Sequence, residues 1–430
     1  MKKKTKKIKI KKNLHRQSKS QAYRKKTLSD ARRAEKTPQK KEKKFINFHP
    51  IDKDFLPAIY YGFTTTKVPE ITKDDKKKVS EIKENWTKAD KGLHWLFSEN
   101  FVEERAALLR HFTENMTNIP QPATIAYDAT NLEQRGKKAF NLEVIGTDKS
   151  IAEAILIKTA VAILKENGAK DITIDVNSIG DKDSVSKFTK DLVSYYRKNL
   201  NETPACCRQN FKKDPFYAAS CKNKQCIEAR EGIPTSITSL SDESRKHFTE
   251  ILEYIEIMGI SYKINDCLLS DRKYCSQAVF EIKGKIGKSD EEEILAIGFR
   301  YDGLTQKLGF KKDLMGAGIK IFLNKEGKPK LISKIKRPKI FFIQISDEAK
   351  HKSFEVIEIL RKAKILVYHF LGRDKFGSQS APIEKLRVPY VMIMGKKESL
   401  ENTVMVRENI TRTQVIVPLP ELSSYIKNLE

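Results

Sequence analysis

The chain has 430 residues, 39% hydrophobic and 32% charged, enough apolar material to build cores in about three domains. Lys+Arg 83 against Asp+Glu 56 leaves a net charge of +27, a field that favours polyanionic partners, nucleic acid first. Collagen, coiled-coil arrays and disulfide scaffolds are excluded, and no run approaches the ~18 uninterrupted apolar residues of a membrane-spanning helix.

Residues 1–44 hold 20 Lys/Arg against 3 Asp/Glu and so carry +17 of the +27. With almost no periodic apolar face, this tail is expected to be a disordered arm that lies along phosphate backbones. No apolar stretch follows its lysines, so it is not a secretory signal. Segment 94–113 has helical spacing in its second half and is broken by the prolines at 120 and 122. Phe140, Leu142 and Val144 alternate as a strand, Ser150–Asn167 reads as a helix closed by Gly168, and Asp171–Val176 alternates again before a turn at 177–181. Asp183–Leu200 is read as helix and 201–235 as irregular. Ser241 opens the next helix, with Phe248, Ile251, Leu252, Ile255 and Met258 on one face. Tyr262–Ile264, Ala278–Ile282 and Ile294–Phe299 read as strands of one antiparallel sheet. Lys325–Pro338 is a basic linker. Beyond it, strand 340–345, helix 347–362, strands at 365–368, 390–394, 404–406 and 414–417 and a last helix from Leu419 form an α/β unit.

Six cysteines point to reduced thiols and a cytoplasmic protein. Cys206, Cys207, Cys221 and Cys226 are close in sequence, but no CxxC pair occurs and adjacent cysteines reach one metal awkwardly. The expectation is no metal site. His94, His111, His247, His351 and His369 are scattered without metal spacing or a nucleophile partner. Asp181-Lys182-Asp183 lacks the later glutamate of a calcium loop.

The order of short signals from about residue 100 to 430 resembles histidyl-tRNA synthetase, a class II aminoacyl-tRNA synthetase. NLEVIG at 141–146, NSIGD at 177–181, CLLSDRKYCSQAVFE at 267–281 in the place of the histidine-specific loop, and GFRYDGL at 298–304 carry the likeness. At the C-terminal end, Met394-Gly395 and 404–414 resemble the anticodon-binding domain. The resemblance implies an α+β fold: an antiparallel-sheet catalytic core with flanking helices over 45–330, an α/β anticodon-binding-like domain over 339–430, and the arm at 1–44. It also implies a homodimer that binds tRNA or another structured RNA in the cytoplasm, away from membranes.

In this family adenylate formation needs cations fixed on the phosphates of ATP, beside Mg²⁺. Here the motif 2 region offers no phenylalanine-arginine pair. The arginine of the histidine loop falls on Ser270, with Asp271-Arg272-Lys273-Tyr274-Cys275 in place of the usual Gly-Leu-Asp-Tyr-Tyr. The motif 3 arginine falls near Leu323, after a plausible Gly316-Ala317-Gly318. Glu103 and Glu143 stand where carboxylates bind the substrate amine and imidazole. The threonine expected two residues after Glu103 is Arg105, the glutamine expected four before Glu143 is Ala139, and the second glycine of a Gly-Gly-Arg run is Phe299, whose ring fits part of the pocket.

The implied substrate-binding candidates are therefore Glu103, Glu143, Tyr274 and Tyr301, with Arg272, Arg135 and Arg300 as the candidate catalytic cations. The RNA-binding candidates are Arg373, Lys375, Lys396, Lys397, Arg407 and Arg412. The expectation is a synthetase-like RNA-binding protein with aminoacylation lost or strongly reduced, so that ATP and Mg²⁺ are cofactors only if activity survives. Two alternatives stand beside it: an active ligase with relocated arginines, and a relative of the regulatory subunit of histidine biosynthesis.

Overall fold

A computed structural model describes residues 45–83 and 99–429, apart from 117–118, 120, 130–135, 222, 229–231, 288–289 and 326. The basic arm, His94 and Arg135 lie outside the described residues.

Strands are numbered along the chain. The first four are β1 (Phe45–Asp52), β2 (Thr64–Thr65), β3 (Ala123–Asp128) and β4 (Lys137–Ile145). β5 (Lys170–Gly180), β6 (Ser261–Ile264), β7 (Ser276–Lys285), β8 (Glu293–Arg300) and β9 (Gly316–Asn324) complete the large sheet, whose order is β2-β3-β4-β9-β8-β7-β5-β6. The six inner strands pair antiparallel, whereas the edge strands β2 and β6 pair parallel with β3 and β5. The 262–264 strand thus joins the expected sheet, but in parallel sense. Helix Ile151–Glu166 covers one face. It is apolar on most of its circumference because it is buried from Ile151 to Leu164, Lys158 excepted.

Local signals behave as capping chemistry requires. Ser241 accepts a hydrogen bond from the Ser244 amide at the start of helix Asp242–Ile257, and Asp181 does the same for Ser184 at helix Lys182–Lys198. The carboxylate at 181 is therefore a helix cap. The expected turn at 177–181 is mostly strand, since β5 continues to Gly180. Segment 201–235 is not irregular: it carries helices Ala205–Lys213, Pro215–Ala219 and Lys224–Glu228. The expected linker contains β10 (Leu331–Lys336), which pairs with β1.

The C-terminal part is a five-stranded sheet in the order β12-β11-β13-β14-β15. Its strands are β11 (Ile340–Gln344), β12 (Tyr368–His369), β13 (Tyr390–Met394), β14 (Thr403–Glu408) and β15 (Gln414–Pro418). β11 pairs parallel with β12 and β13, and β14 pairs antiparallel with β13 and β15. Helix Asp347–Lys362, capped by Ser346, buries Phe354, Val356, Ile357 and Leu360. Its outer turns tie this part to the large-sheet part. Tyr61 donates to Glu358 at 2.6 Å, Arg361 binds both oxygens of Glu358 at 2.7 and 2.9 Å, and Arg361 also pairs with Glu166. Lys149 and Lys350 share Asp374.

Candidate functional site

β3, β4, β8 and β9 lie side by side, and helix Glu99–Asn115 packs on the face that Tyr127, Glu143, Phe299 and Lys320 share. Glu143 is opposite Ile125 on β3 and Gly318 on β9. The glycine is required there: a Cβ at 318 would lie 1.8 Å from Glu143 Oε2. Glu143 is fully buried. It accepts from the Tyr301 hydroxyl at 2.9 Å and from the Tyr127 hydroxyl at 3.5 Å.

The third polar partner of that carboxylate is Arg105, whose Nη2 is 3.3 Å from Glu143 Oε1. Its guanidinium lies over the rings of Phe101, 4.3 Å away, and Phe299, 4.4 Å away, which themselves meet at a tilt with centroids 5.5 Å apart, and its Nη1 donates to the Phe101 carbonyl. Arg105, Phe101 and Phe299 are each at most 1% exposed. Tyr274 meets Phe299 edge to face at 5.9 Å. A flat cation resting on aromatic rings and neutralised by a buried carboxylate is a favourable arrangement. Here the protein supplies that cation itself.

Of the two glutamates near the start of the helix, Glu104 rather than Glu103 enters the interior network. It takes Lys320 Nζ at 2.7 Å and Asn141 Nδ2 at 3.0 Å, while Glu103 is only half-buried. Burial raises the Glu143 carboxyl, and Arg105 with the Tyr301 hydroxyl offsets this only partly, leaving it at about 7. Burial likewise depresses Lys320. Tyr301, Tyr274 and Glu143 therefore do converge. Arg105, Lys320, Tyr127 and Asn141 were not among the candidate site residues. The signal available for Arg105 was its position two residues after Glu103.

The candidate cations are placed otherwise. Arg300 is fully buried and bidentate on Glu153, Nε and Nη2 each at 2.7 Å, and it donates to the carbonyls of Thr147 and Lys149. Arg272 pairs with Asp214 at 2.6 Å and lies over the Phe216 ring at 4.7 Å. Ser270 and Leu323 are both buried. Arg300 is thus committed to interior partners, and Arg272, still 28% exposed, is paired with Asp214.

In the C-terminal part, Arg407 and Arg412 meet Arg387, which was not anticipated, around a groove of about 590 Å³ whose floor includes Val391 and Ile393 of β13. Among the described residues, Arg407 Nε is buried without a hydrogen-bond partner. The other RNA candidates lie elsewhere: Arg373 stacks on Phe370 and donates to the carbonyls of Gln121 and Ser378, Lys396 pairs with Glu348 at 2.8 Å, and Lys375 and Lys397 are exposed. The sequence reading placed no metal at Cys206, Cys207, Cys221 and Cys226. The short helices bring all four Sγ atoms within 4.8 Å of one another.

Residues 339–429 match the family model of the anticodon binding domain. Histidine–tRNA ligase of Acetivibrio thermocellus is 26% identical over 403 residues, covering 88% of this chain and 95% of that protein. The Bacillus subtilis enzyme of the same name is 25% identical, covering 76% and 80%. The crystal structure of apo S. aureus histidyl-tRNA synthetase aligns at a TM-score of 0.44 and 18% identity, over 86% of this chain and 92% of that one. With near full-length similarity to histidine–tRNA ligases and an anticodon-binding domain at its end, the chain belongs to the histidyl-tRNA synthetase family.

Proposed function

We propose that this family member binds tRNA or another structured RNA and has lost, or nearly lost, ATP-dependent aminoacylation. The observation that carries the reading is the Arg105 guanidinium, which fills the space over Phe101 and Phe299 beside Glu143. A substrate cation would have to displace a buried, charge-paired side chain. The ion pairs of Arg300 and Arg272 add to this, since each phosphate-directed donor withdrawn from such a site costs roughly 10²–10³ in rate. The division into a core over 45–330 and an anticodon-binding-like domain over 339–430, a homodimeric state and a cytoplasmic location belong to the same proposal, on likeness to the family.

Two assays on the purified chain decide it. Histidine-dependent exchange between ATP and pyrophosphate is expected to be absent or feeble. Strong exchange that disappears in Arg272→Ala would mean that Arg272 leaves Asp214 for the phosphates, and the chain is a working ligase. Binding to tRNA is expected to fall steeply with salt. A chain that binds no RNA would favour the regulatory-subunit alternative, against which the anticodon-domain match at 339–429 speaks.

The groove gives a sharper expectation. Changing Arg387, Arg407 and Arg412 together to alanine should weaken tRNA binding about tenfold or more and flatten the log–log salt slope by about 2 to 3, one per lost phosphate contact. Filter binding at several salt concentrations measures both. An unchanged slope would place the RNA elsewhere.

A further inference from the structure

We propose that Cys206, Cys207, Cys221 and Cys226 form a tetrathiolate zinc site that staples the segment 205–228. Four thiols brought within 4.8 Å of one another from three stretches of chain are not an accident of composition, since the protein has only 6 cysteines. A tetrahedral zinc–thiolate centre, with Zn–S of ~2.3 Å, has sulfur–sulfur edges of ~3.8 Å. The cluster spans that value, from 2.9 Å between Cys206 and Cys226 upward.

Three of the four thiols are buried, which suits a structural site closed to solvent. Cys206 and Cys207 occupy the first turn of helix Ala205–Lys213, where unpaired backbone amides favour thiolate. Four thiolates around a divalent ion leave two negative charges. Over residues 205–228 the sequence supplies Arg208, Lys212, Lys213, Lys222 and Lys224 against Asp214 and Glu228. A single disulfide would account for two of the sulfurs and leave the convergence of the other two unexplained.

The staple has a visible consequence. Asp214 and Phe216, the two residues that hold Arg272, lie on the stretch between Cys207 and Cys221. Ligation at both ends would fix that clamp, so the metal would act as a positioning element for the loop carrying Arg272. This holds whether or not the chain aminoacylates.

The test is the metal content of the full chain, purified under reducing conditions without chelator. One zinc per chain is expected, and replacement by cobalt should give thiolate-to-metal charge-transfer bands and the visible bands of a tetrahedral site. Cys221→Ser should lose the metal, while Cys267→Ser, outside the cluster, keeps it. Because Cys221→Ser could fail to fold, the wild-type chain is also treated with chelator. Metal loss should lower the melting temperature and open segment 205–228 to proteolysis, and zinc should restore both. Six titratable thiols in a native, metal-free chain, or a Cys206–Cys226 disulfide in the reduced preparation, would overturn the proposal.

Discussion

Arg300→Met is expected to cost about 3–5 kcal/mol of stability, because it leaves the fully buried Glu153 without its bidentate partner. Methionine keeps much of the volume, so the loss would be electrostatic rather than a cavity. The arginine also satisfies the carbonyls of Thr147 and Lys149, which tie the start of helix Ile151–Glu166 to β8. Adding Glu153→Gln should recover part of the loss, giving a coupling of roughly 1–3 kcal/mol in a double-mutant cycle followed by urea denaturation. Additive effects would show that the pair contributes little.

The same pair sets an acid limit. Burial alone would raise the Glu153 carboxyl, but Arg300 and then His247 outweigh it and bring it down from 4.5 to about 2. A carboxyl lowered in the folded state stabilises fully above its unfolded value of 4.5, and the contribution is lost as pH falls through about 2. At roughly 1.4 kcal/mol per unit this is about 3 kcal/mol. The Arg300→Met variant should lack that dependence.

Arg105→Ala should have the second large effect, and a distinctive one. Removing the guanidinium costs about 3–5 kcal/mol, since Glu143 is left buried opposite an empty slot over Phe101 and Phe299. That slot has the shape and charge for a flat cation. Imidazole or histidine should therefore stabilise the variant and leave the wild type unaffected. Ligand at tenfold its Kd would return about 1.4 kcal/mol, visible as a rise in melting temperature. A folded variant indifferent to both compounds would mean that the slot collapses, and the filled-pocket reading would lose its chemical basis. Glu143 supplies a control. Its carboxyl is raised in the folded state, so its favourable contribution is complete below 4.5 and is lost as pH rises through about 7. Glu143→Gln should abolish that decline.

The alternation of Phe140, Leu142 and Val144 announced β4, and Ser241 announced its helix through a cap that the structure contains. β9 was not announced. Its GAGIKIFLN is buried on both faces, so no alternation survives. Helix Lys73–Lys83 was hidden by its charges, and it is held through Asp75 by Arg110 of helix Glu99–Asn115. At the site, motif positions pointed to Glu143, Tyr274 and Tyr301 because strand and loop order fixes them. Whether Arg105 points into the pocket or away from it depends on how a helix is rotated against a sheet. The thiol cluster was illegible for a related reason. Spacing rules assume a hairpin between ligand pairs, and here short helices do the folding back.

The link through Glu358 also bears on how the chain comes apart. Arg361 reaches across to Glu166, and the Tyr61 hydroxyl reaches back to Glu358. Burial would raise the Glu358 carboxyl, but Arg361 and Tyr61 hold it at about 2. Each side would therefore expose half of a paired, partly sheltered charge network if the other melted first. The two sheets are then expected to unfold in one calorimetric transition near neutral pH, and a truncation ending near residue 338 would make a poorer protein than its own core suggests. An RNA held in the groove would therefore load a sheet whose long helix is ion-paired, through Arg361 and Glu166, to the part that holds the filled pocket.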